Sequence, residues 1–344
     1  MKKQIEILLT LLVTIFLFSC TNGLNTQKEK NTFEPIQTEI PVRPAGQKDV
    51  LGLVAPRLDT VRVGFIGLGS RGPAAVMRFT HIPGTKIIAL CDLDTDRVEK
   101  VQKILDGEGL PRAAAYSGSA EVWKELCQRD DIDLVYIATD WKNHAPMMIY
   151  AMEQGKHVAC EVPAAMTLQE IWDVVNTAER TEKHCMQLEN CVYDFFELTT
   201  LNMAQQGLLG EILHAEGAYI HDLEKVWESY HNDWRMQYNR EFRGDVYPTH
   251  GFGPVCQALN IHRGDRLDYL VAMDNKAVNI PEYLIEKRGI DRDSAYNFAN
   301  GQHTMTFIRT EKEKTIHIQH DVSSPRPYSR MYQLSGTKGF ANKY

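Results

Sequence analysis

The chain has 344 residues, of which 43% are hydrophobic, 24% charged and 9% aromatic. This balance excludes a disordered, collagen-like or multi-span membrane protein and predicts about two globular domains. Lys and Arg total 38 against 45 Asp and Glu, a formal net charge of -7, and no basic stripe stands out. We therefore expect no nucleic-acid partner.

The first twenty residues predict an export signal. Two lysines precede an apolar run at positions 5–18, which is too short for a comfortable transmembrane helix. Cys20 directly follows a small residue, so the segment resembles a bacterial lipobox whose cysteine carries acyl chains. The prediction is an exported bacterial lipoprotein, anchored by lipid on Cys20 to the periplasmic or surface face of a cell-envelope membrane. An ordinary signal peptide cut nearby is the alternative, because Phe18 is bulky for a lipobox.

A polar segment and scattered cysteines follow. Residues 21–58 are rich in Thr, Asn, Gln, Lys and Pro without periodicity, which predicts a flexible tether. The other six cysteines show neither a CxxC pair nor zinc-ligand spacing, so we predict no metal and buried free thiols. A disulfide between Cys185 and Cys191 is the alternative in an oxidising compartment.

A strand, a glycine-rich turn and a helix start follow in direct succession. The apolar run at 61–66 leads into Gly67, Gly69 and Gly72, and Pro73 opens a helical pattern. Such a turn directs backbone N–H groups at a pyrophosphate. A second strand at 86–91 ends at Asp92, an acid placed to accept both ribose hydroxyls. This combination predicts bound NAD, whereas the glycines alone would also fit a merely structural turn.

The alternation of strands and helices continues as far as residue 188. Strands are predicted at 132–138 and 157–161, with a helix between them that ends near Gln154. This pattern predicts a doubly wound parallel sheet, a Rossmann domain over 59–188. The turn at 141–144 and the segment at 161–163 fall at the carboxyl ends of strands, where ligands bind in this architecture. Polar surface turns are the alternative interpretation of both.

The pattern changes from about Asn190. Alternating segments at 210–220 and 302–323 predict half-buried strands. We predict a substrate-binding α+β domain over 189–344 with a mainly antiparallel open sheet, and a substrate cleft between the two domains. The sequence ends in a strand-and-turn pattern at 336–344, and we expect this domain to continue beyond it.

A Rossmann half ending in Cys160-Glu161-Val162-Pro163 and a strand-rich second half resemble the Gfo/Idh/MocA oxidoreductase superfamily. Sugar dehydrogenases of that superfamily have a catalytic lysine where this chain has Val162. Their later aspartate and histidine correspond to Thr249 and Gly253. This chain therefore lacks the polar groups that ordinary dehydrogenase chemistry uses at these positions.

The replacements themselves resemble glycosyl hydrolase family 109. Five motifs carry the likeness, at residues 67–72, 91–94, 160–165, 247–251 and 325–330. The resemblance implies an NAD-containing glycosidase acting on glycans with terminal N-acetylgalactosamine, typically α-linked. The implied cofactor contacts, beside the three glycines, are Ser70, Arg71, Asp92, Trp141, Lys142, Asn143, His144, Glu161, Val162, Asn190 and Tyr247. The implied substrate contacts are Tyr219, Arg235, Tyr247, Pro248, Thr249, His250 and Tyr328.

The resemblance also implies a redox-neutral reaction. The sugar is oxidised transiently at C3 by NAD+, C2 is deprotonated, the leaving group is eliminated, water adds, and C3 is reduced again. His250 is our first choice for the base and His231 the second; for each, a hydrogen-bonded structural histidine is the alternative. Tyr219 or Tyr247 would share the proton at C3, and Arg235 would hold the acetamido oxygen or hydroxyls. An exported enzyme has no NAD pool from which to draw, which favours a cofactor that stays bound.

Two other functions remain open from the sequence. A sugar dehydrogenase would turn over added NAD+, and the missing lysine at Val162 counts against it. A surface lipoprotein that binds glycans, with NAD as a structural relic, would have no enzymatic activity. Replacing His250 or Tyr247 would then change no measured activity. The sequence leaves open whether identical chains assemble into a homo-oligomer.

Overall fold

The structure is a computed structural model that describes residues 35–343, except for the side chain of His231. The predicted export signal and Cys20 lie outside the described residues. Residues 35–42 are exposed and have no regular secondary structure. Everything below concerns the compact unit Arg43–Tyr344.

The first half is a six-stranded parallel sheet in the order β3-β2-β1-β4-β5-β6. Its strands are β1 (Val61–Ile66), β2 (Thr85–Cys91), β3 (Ala114–Tyr116), β4 (Leu134–Ile137), β5 (His157–Cys160) and β6 (Cys185–Gln187). The helices between them are α1 (Gly72–Thr80), α2 (Thr95–Gly107), α3 (Trp123–Cys127), α4 (Trp141–Glu153) and α5 (Leu168–Thr181). The strand order reverses beside β1, and in such sheets a ligand binds at that crevice.

Apolar side chains on both faces explain why this sheet is parallel and buried. Val63 and Phe65 of β1 point into one core, and Ile66 into the core on the other face. Strands buried on both sides are typical of sheets whose crossover helices cover each face. The prediction of a doubly wound parallel sheet is confirmed.

The second half is a mixed sheet in the order β12-β11-β7-β10-β9-β8, in which only β7 and β10 pair in parallel. Its strands are β7 (Ile212–Ile220), β8 (Leu267–Asp274), β9 (His303–Thr310), β10 (Thr315–Asp321), β11 (Tyr332–Gly336) and β12 (Phe340–Lys343). The helices are α6 (Phe195–Gln205), α7 (Trp234–Glu241), α8 (Thr249–Ala258), α9 (Asn279–Arg288) and α10 (Arg292–Tyr296). Short 3-10 turns cover Asn190–Tyr193, Glu224–Ser229 and His231–Asp233. The predicted α+β half with a mainly antiparallel sheet is confirmed.

Two glycines bring α8 close to β7. A Cβ on Gly217 would lie 2.2 Å from the carbonyl oxygen of Gly251, so any larger residue would force the two elements apart. This close packing places His250, the second residue of α8, beside Tyr219 of β7, with ring centroids 5.2 Å apart.

The end of the predicted tether is held to the Rossmann half. Arg43 donates two hydrogen bonds to the Glu179 carboxylate, at 3.0 and 2.9 Å, and Gln47 donates a third at 2.7 Å. Val50 packs against the core beneath α5. Residues 43–50 therefore follow the surface of α5 without forming a helix or strand.

The six described cysteines are all free, and four of them are buried. The Cys185–Cys191 disulfide is therefore not formed in this structure. Within residues 35–343, no helix combines the length and the apolar character that crossing a membrane requires.

Candidate active site

The glycine turn after β1 is shaped for close approach of a ligand. Gly67 adopts a φ of +91°, and a Cβ there would lie 2.6 Å from the Ala138 carbonyl. A Cβ on Gly72 would lie 2.1 Å from the carbonyl oxygen of Gly67. At Gly69, by contrast, an added Cβ would meet only the Arg97 guanidinium, at 3.4 Å. Gly67 and Gly72 therefore shape the turn, while Gly69 leaves its outer side open.

Asp92 ties this turn to the end of β2. Its Oδ2 accepts a hydrogen bond from the backbone N–H of Leu68 at 2.7 Å, and its Oδ1 accepts one from Asp94 at 3.0 Å. Arg97 on α2 places Nη1 3.6 Å from Asp92 Oδ1. Arg97 was not identified from the sequence as part of this site. Its position in the sequence gives no indication that α2 directs the Arg97 side chain towards the glycine turn.

We expect alanine at these two glycines to have different effects. Gly69→Ala should leave the thermal midpoint unchanged but lower NAD affinity at least about tenfold, because its methyl group would occupy the space of the pyrophosphate. Gly72→Ala should lower both the thermal midpoint and the NAD affinity, because its methyl group would collide with the backbone of Gly67. NADH fluorescence titration and thermal melting measure the two effects, with Gly107→Ala, which meets nothing within 4 Å, as the control. Unchanged NADH affinity in Gly69→Ala would contradict this assignment of the turn.

The other predicted cofactor contacts surround this crevice at the carboxyl edge of the sheet. Ser70, Arg71 and Asn190 are exposed, and Lys142 is exposed beside Asp140. Asn143 donates a hydrogen bond to Asp140. Trp141 and Val162 are buried, and Glu161 accepts a hydrogen bond from Tyr136 at 2.7 Å.

His144 is engaged within the protein. Its Nδ1 lies 2.7 Å from the carbonyl oxygen of Pro163, and its Nε2 lies 3.2 Å from that of Thr139. The ring thereby joins two loops at the carboxyl edge of the sheet. Burial lowers the pKa of His144, against the raising effect of the two carbonyls.

Arg235 lies at the centre of an aromatic cage that joins the two halves. Its guanidinium lies 5.2 Å from the ring of Trp141 and 4.9 Å from that of Tyr247, and these two rings stack at 12°. It donates hydrogen bonds to the hydroxyls of Tyr230, at 2.8 Å, and Tyr219, at 3.2 Å. Burial acts to lower the pKa of Arg235, but the neighbouring tyrosines hold it above its ordinary value.

This arginine is only 8% exposed, and no ion pair among residues 35–343 includes it. Two of its N–H groups point at neutral hydroxyls, although a buried charge is usually paired with an opposite one. The cage is therefore suited to an oxygen that carries or develops negative charge.

His250 forms a buried pair with Glu189. Its Nδ1 lies 2.7 Å from Glu189 Oε1, which also accepts the N–H of Cys191 at 2.9 Å. Burial acts to raise the pKa of Glu189, but the hydrogen bond from His250, the largest of several opposing effects, holds it below its usual range. Nδ1 thus donates to the carboxylate, which leaves Nε2 as the acceptor.

Gly253 makes this pairing possible. It lies one turn after His250 on α8, and a Cβ there would come within 3.0 Å of Glu189 Cγ. The resemblance to the Gfo/Idh/MocA superfamily implies a histidine at this position. In this chain the histidine of α8 lies one turn earlier, at His250, and Glu189 packs where a side chain at position 253 would be. Glu189 could not be predicted from the sequence, although its position just after β6 was a signal.

Glu189, Cys191 and His250 are also close enough to bind a metal ion, with one ligand atom from each within 4.8 Å of the others. The Nη1 of Arg330 lies 3.2 Å from Cys191 Sγ, so a positive charge already occupies that side. Burial, first among several effects, raises the pKa of Cys191 to about 12, which favours the neutral thiol. We assign no metal to this group.

The remaining predicted residues lie around the same cleft. Tyr219 and Tyr247 are buried, with ring centroids 5.0 Å apart, and Tyr328 is half exposed. Pro248 and Thr249 line a groove of about 590 Å³ together with Pro163. The side chain of His231 lies outside the described residues, so its proposed role as a base remains a prediction.

The buried histidines predict sensitivity to acid. Burial lowers the pKa of both His144 and His320 from an ordinary value of 6.5, although Asp245 acts in the opposite direction on His320. The unfolded chain therefore binds more protons just below pH 6.5, and stability falls as the pH falls from there.

We expect the thermal midpoint to drop between pH 7 and pH 5. His320→Gln should show a shallower drop, whereas His81→Gln, whose side chain is 66% exposed in the wild type, should follow the wild type. An unaltered slope in His320→Gln would show that acid acts elsewhere.

Comparison with known proteins agrees with this architecture. Residues 61–188 match the model of the oxidoreductase family with an NAD-binding Rossmann fold. A crystal structure of myo-inositol dehydrogenase from Lactobacillus casei, in complex with NAD(H) and myo-inositol, is similar with a TM-score of 0.62 and 19% identity, over 82% of this chain and 74% of that one. Scyllo-inositol dehydrogenase from the same organism, with NAD(H) and scyllo-inositol, gives 0.64 and 16%, over 83% and 76%. The protein thus has the fold of the Gfo/Idh/MocA oxidoreductases, with an NAD-binding Rossmann domain.

The second half specifies the family. Residues 193–344 match the C-terminal domain of glycosyl hydrolase 109. The chain is 66% identical to glycosyl hydrolase family 109 protein 1 of Phocaeicola vulgatus, over 95% of this chain and 69% of that protein. It is 65% identical to the protein of the same description from Bacteroides fragilis strain YCH46, over 97% and 70%. The chain therefore belongs to glycosyl hydrolase family 109.

Proposed function

We propose that this glycosidase removes terminal, α-linked N-acetylgalactosamine by a redox-neutral elimination that uses a tightly bound NAD+. The observation that carries the proposal is the buried His250–Glu189 pair beside the Arg235 cage. Glycosidases that work by direct displacement place two carboxyl groups on either side of the glycosidic bond. Here the buried carboxylate of Glu189 is bound to a histidine instead, which suits removal of a proton from carbon.

The residues present fit the dinucleotide. The open side of Gly69 admits a pyrophosphate, and Asp92 closes the turn at the place where ribose hydroxyls bind in such folds. When bound, NAD+ would accept a hydride from C3 of the sugar and return it at the end of the cycle. The ketone that is present in between acidifies the C–H bond at C2.

His250 is the proposed base at C2. Its Nδ1–H donates to Glu189, so Nε2 is the atom that takes the proton. The carboxylate then stabilises the positive charge on the ring, which is the role of the third group in catalytic triads. Loss of this C2 proton allows the substituent at C1 to leave.

Arg235 and its tyrosines are the proposed oxygen site. Deprotonation at C2 moves negative charge onto the oxygen at C3, and the guanidinium has donors in a fixed plane to bind it. Tyr219 remains the candidate to exchange the hydroxyl proton at C3.

The decisive experiment incubates the purified full chain with aryl α- and β-N-acetylgalactosaminides in deuterated water, without added cofactor. Release of the aryl group from the α anomer, with deuterium at C2 of the sugar, is expected. Release without deuterium would overturn the elimination mechanism. No release, together with reduction of NAD+ when it is supplied in a parallel assay, would identify a sugar dehydrogenase instead.

We also propose that the chain acts outside the cytosol, anchored through Cys20. This proposal fits an enzyme that never exchanges its NAD. Radiolabelled palmitate should appear in the full chain and be lost in Cys20→Ala. Label in both proteins, or in neither, would contradict lipidation at this residue.

A further inference from the structure

A chain of hydrogen bonds runs from Arg235 through Tyr219 to His221. Arg235 Nη2 lies 3.2 Å from Tyr219 Oη, and the same Oη lies 2.9 Å from His221 Nδ1. A guanidinium has only donors, so the tyrosine oxygen accepts from Arg235. The tyrosine's own proton is then directed at Nδ1 of His221.

His221 is the last link before the cleft opens. It follows β7 directly, is only half-buried, and packs edge-on against Tyr328 with ring centroids 4.6 Å apart. The relay therefore begins on a buried group, Arg235, and ends on a group that has partial access to solvent.

The surroundings favour the neutral form of His221, in which Nδ1 has the lone pair that accepts the hydrogen bond of Tyr219. Burial is the largest cause that lowers its pKa from 6.5, and Arg235 and Arg330 add to it. Arg71 acts in the same direction, and Asp222 opposes them. The charges of Arg235 on α7, Arg330 just before β11 and Arg71 in the glycine turn therefore all disfavour the protonated form of this ring.

We propose that His221 is a positioning and proton-relay residue for Tyr219, a role that rests on the proposed function for its reaction. Bound NAD+ would take the hydride from the C3–H bond, and the proton of the C3 hydroxyl passes to Tyr219 Oη. The tyrosine's own proton passes to His221 Nδ1. Tyr219 stays neutral, His221 becomes the cation, and both transfers reverse when C3 is reduced again.

This arrangement explains why a tyrosine can exchange a proton here. A tyrosine normally releases its proton near pH 10, which makes an isolated one a poor base at neutral pH. A neighbouring imidazole that takes the proton at the same time removes the need for a free phenolate. Arg235 stabilises whatever negative charge the tyrosine oxygen develops during the transfer.

The first test is a cycle of variants assayed with an aryl N-acetylgalactosaminide. His221→Gln keeps an acceptor for the tyrosine hydroxyl but cannot take up its proton, and we expect kcat to fall at least about tenfold, toward the lower end of general acid–base effects. The kcat of Tyr219→Phe should fall by at least the same factor. The double variant should be no slower than Tyr219→Phe, because both residues act in one relay. His214→Gln, on the same strand and bonded to Thr315, is the matched control and should keep wild-type kcat.

Independent losses that multiply in the double variant would overturn the relay. So would a His221→Gln enzyme with unchanged kcat. Thermal melting of each variant shows whether a loss of activity comes from misfolding.

The second test does not depend on activity. With 15N-labelled imidazole rings, the Nδ1 signal of His221 should have the shift of a hydrogen-bonded acceptor and should move in Tyr219→Phe. It should titrate below pH 6.5. An Nδ1 signal that Tyr219→Phe leaves in place would overturn the proposal even if the enzyme is an active glycosidase. A wild-type chain without glycosidase activity would instead reject the proposed function, and the NMR result would still decide the Tyr219–His221 link.

Discussion

Replacement of His250 by glutamine should lower kcat about a hundredfold to ten-thousandfold, the range expected when a general base is removed. KM should change little, because the base acts on a proton that is lost only in the transition state. The glutamine amide can still donate to Glu189, which avoids leaving a buried carboxylate unpaired. The variant should therefore fold, and its NAD content should match that of the wild type.

The same variant should fail to exchange the C2 proton of the substrate. In deuterated water, wild-type enzyme introduces deuterium at C2 under the proposed mechanism, whereas His250→Gln should not. His81→Gln, on an exposed surface of the Rossmann half, is the control for a lost histidine. Exchange at the wild-type rate in His250→Gln would assign the base to another residue, and His231 would then be the next candidate.

Glu189→Gln separates orientation from charge. Its amide oxygen still accepts the Nδ1–H of His250, but it no longer carries the negative charge that stabilises the protonated ring. We expect a smaller loss of kcat than in His250→Gln. An equal loss in both would mean that the charge of Glu189 is as necessary as the base itself.

The local elements of the nucleotide-binding half could be predicted from the sequence because their signals are local. The glycines at 67–72 must follow a strand and precede a helix, and the structure has β1 and α1 in those places. Asp92 follows β2 for the same reason. The predicted strand at 210–220 corresponds to β7, and the segment at 302–323 divides into β9 and β10.

The partners of the candidate site residues could not be predicted, because they are set by tertiary packing. Glu189 and His250 are 61 positions apart, and only the packing of α8 against the turn after β6 brings them together. His221 is two residues from Tyr219 on an extended segment, where side chains repeat on one face every second residue. That spacing predicts that the two side chains are neighbours. Only the structure, with Arg235 beside Tyr219, shows that they can form a hydrogen-bonded chain.

Val162 departs from the dehydrogenase pattern, and its packing in the structure explains why an apolar residue fits there. The resemblance to sugar dehydrogenases implies a lysine at this position, whereas here the valine is buried in one cluster with Trp141, Tyr219 and Tyr247. An ammonium group in that cluster would lie among aromatic rings that already surround the charge of Arg235. The apolar residue is therefore compatible with a site whose positive charge is supplied by the arginine.

Replacement of Arg235 by lysine should lower kcat about a hundredfold to a thousandfold, the effect of removing a fixed donor to a developing oxyanion. Lysine keeps the charge but loses the planar donors that bind the Tyr219 and Tyr230 hydroxyls. Under the proposed mechanism the lost interaction is strongest after the C2 proton leaves, so kcat should fall more than KM rises. Arg266→Lys, at an exposed ion pair with Glu311, is the control.

Arg235→Ala provides a sharper form of the same test. The variant leaves a cavity among the rings of Trp141, Tyr219, Tyr230 and Tyr247, into which free guanidinium fits. Millimolar guanidinium should restore part of the lost kcat, whereas ammonium ion should restore less, because it lacks the planar array of donors. A variant whose only defect is a raised KM would show that Arg235 binds substrate and transition state equally, and the oxygen at C3 would then need another donor.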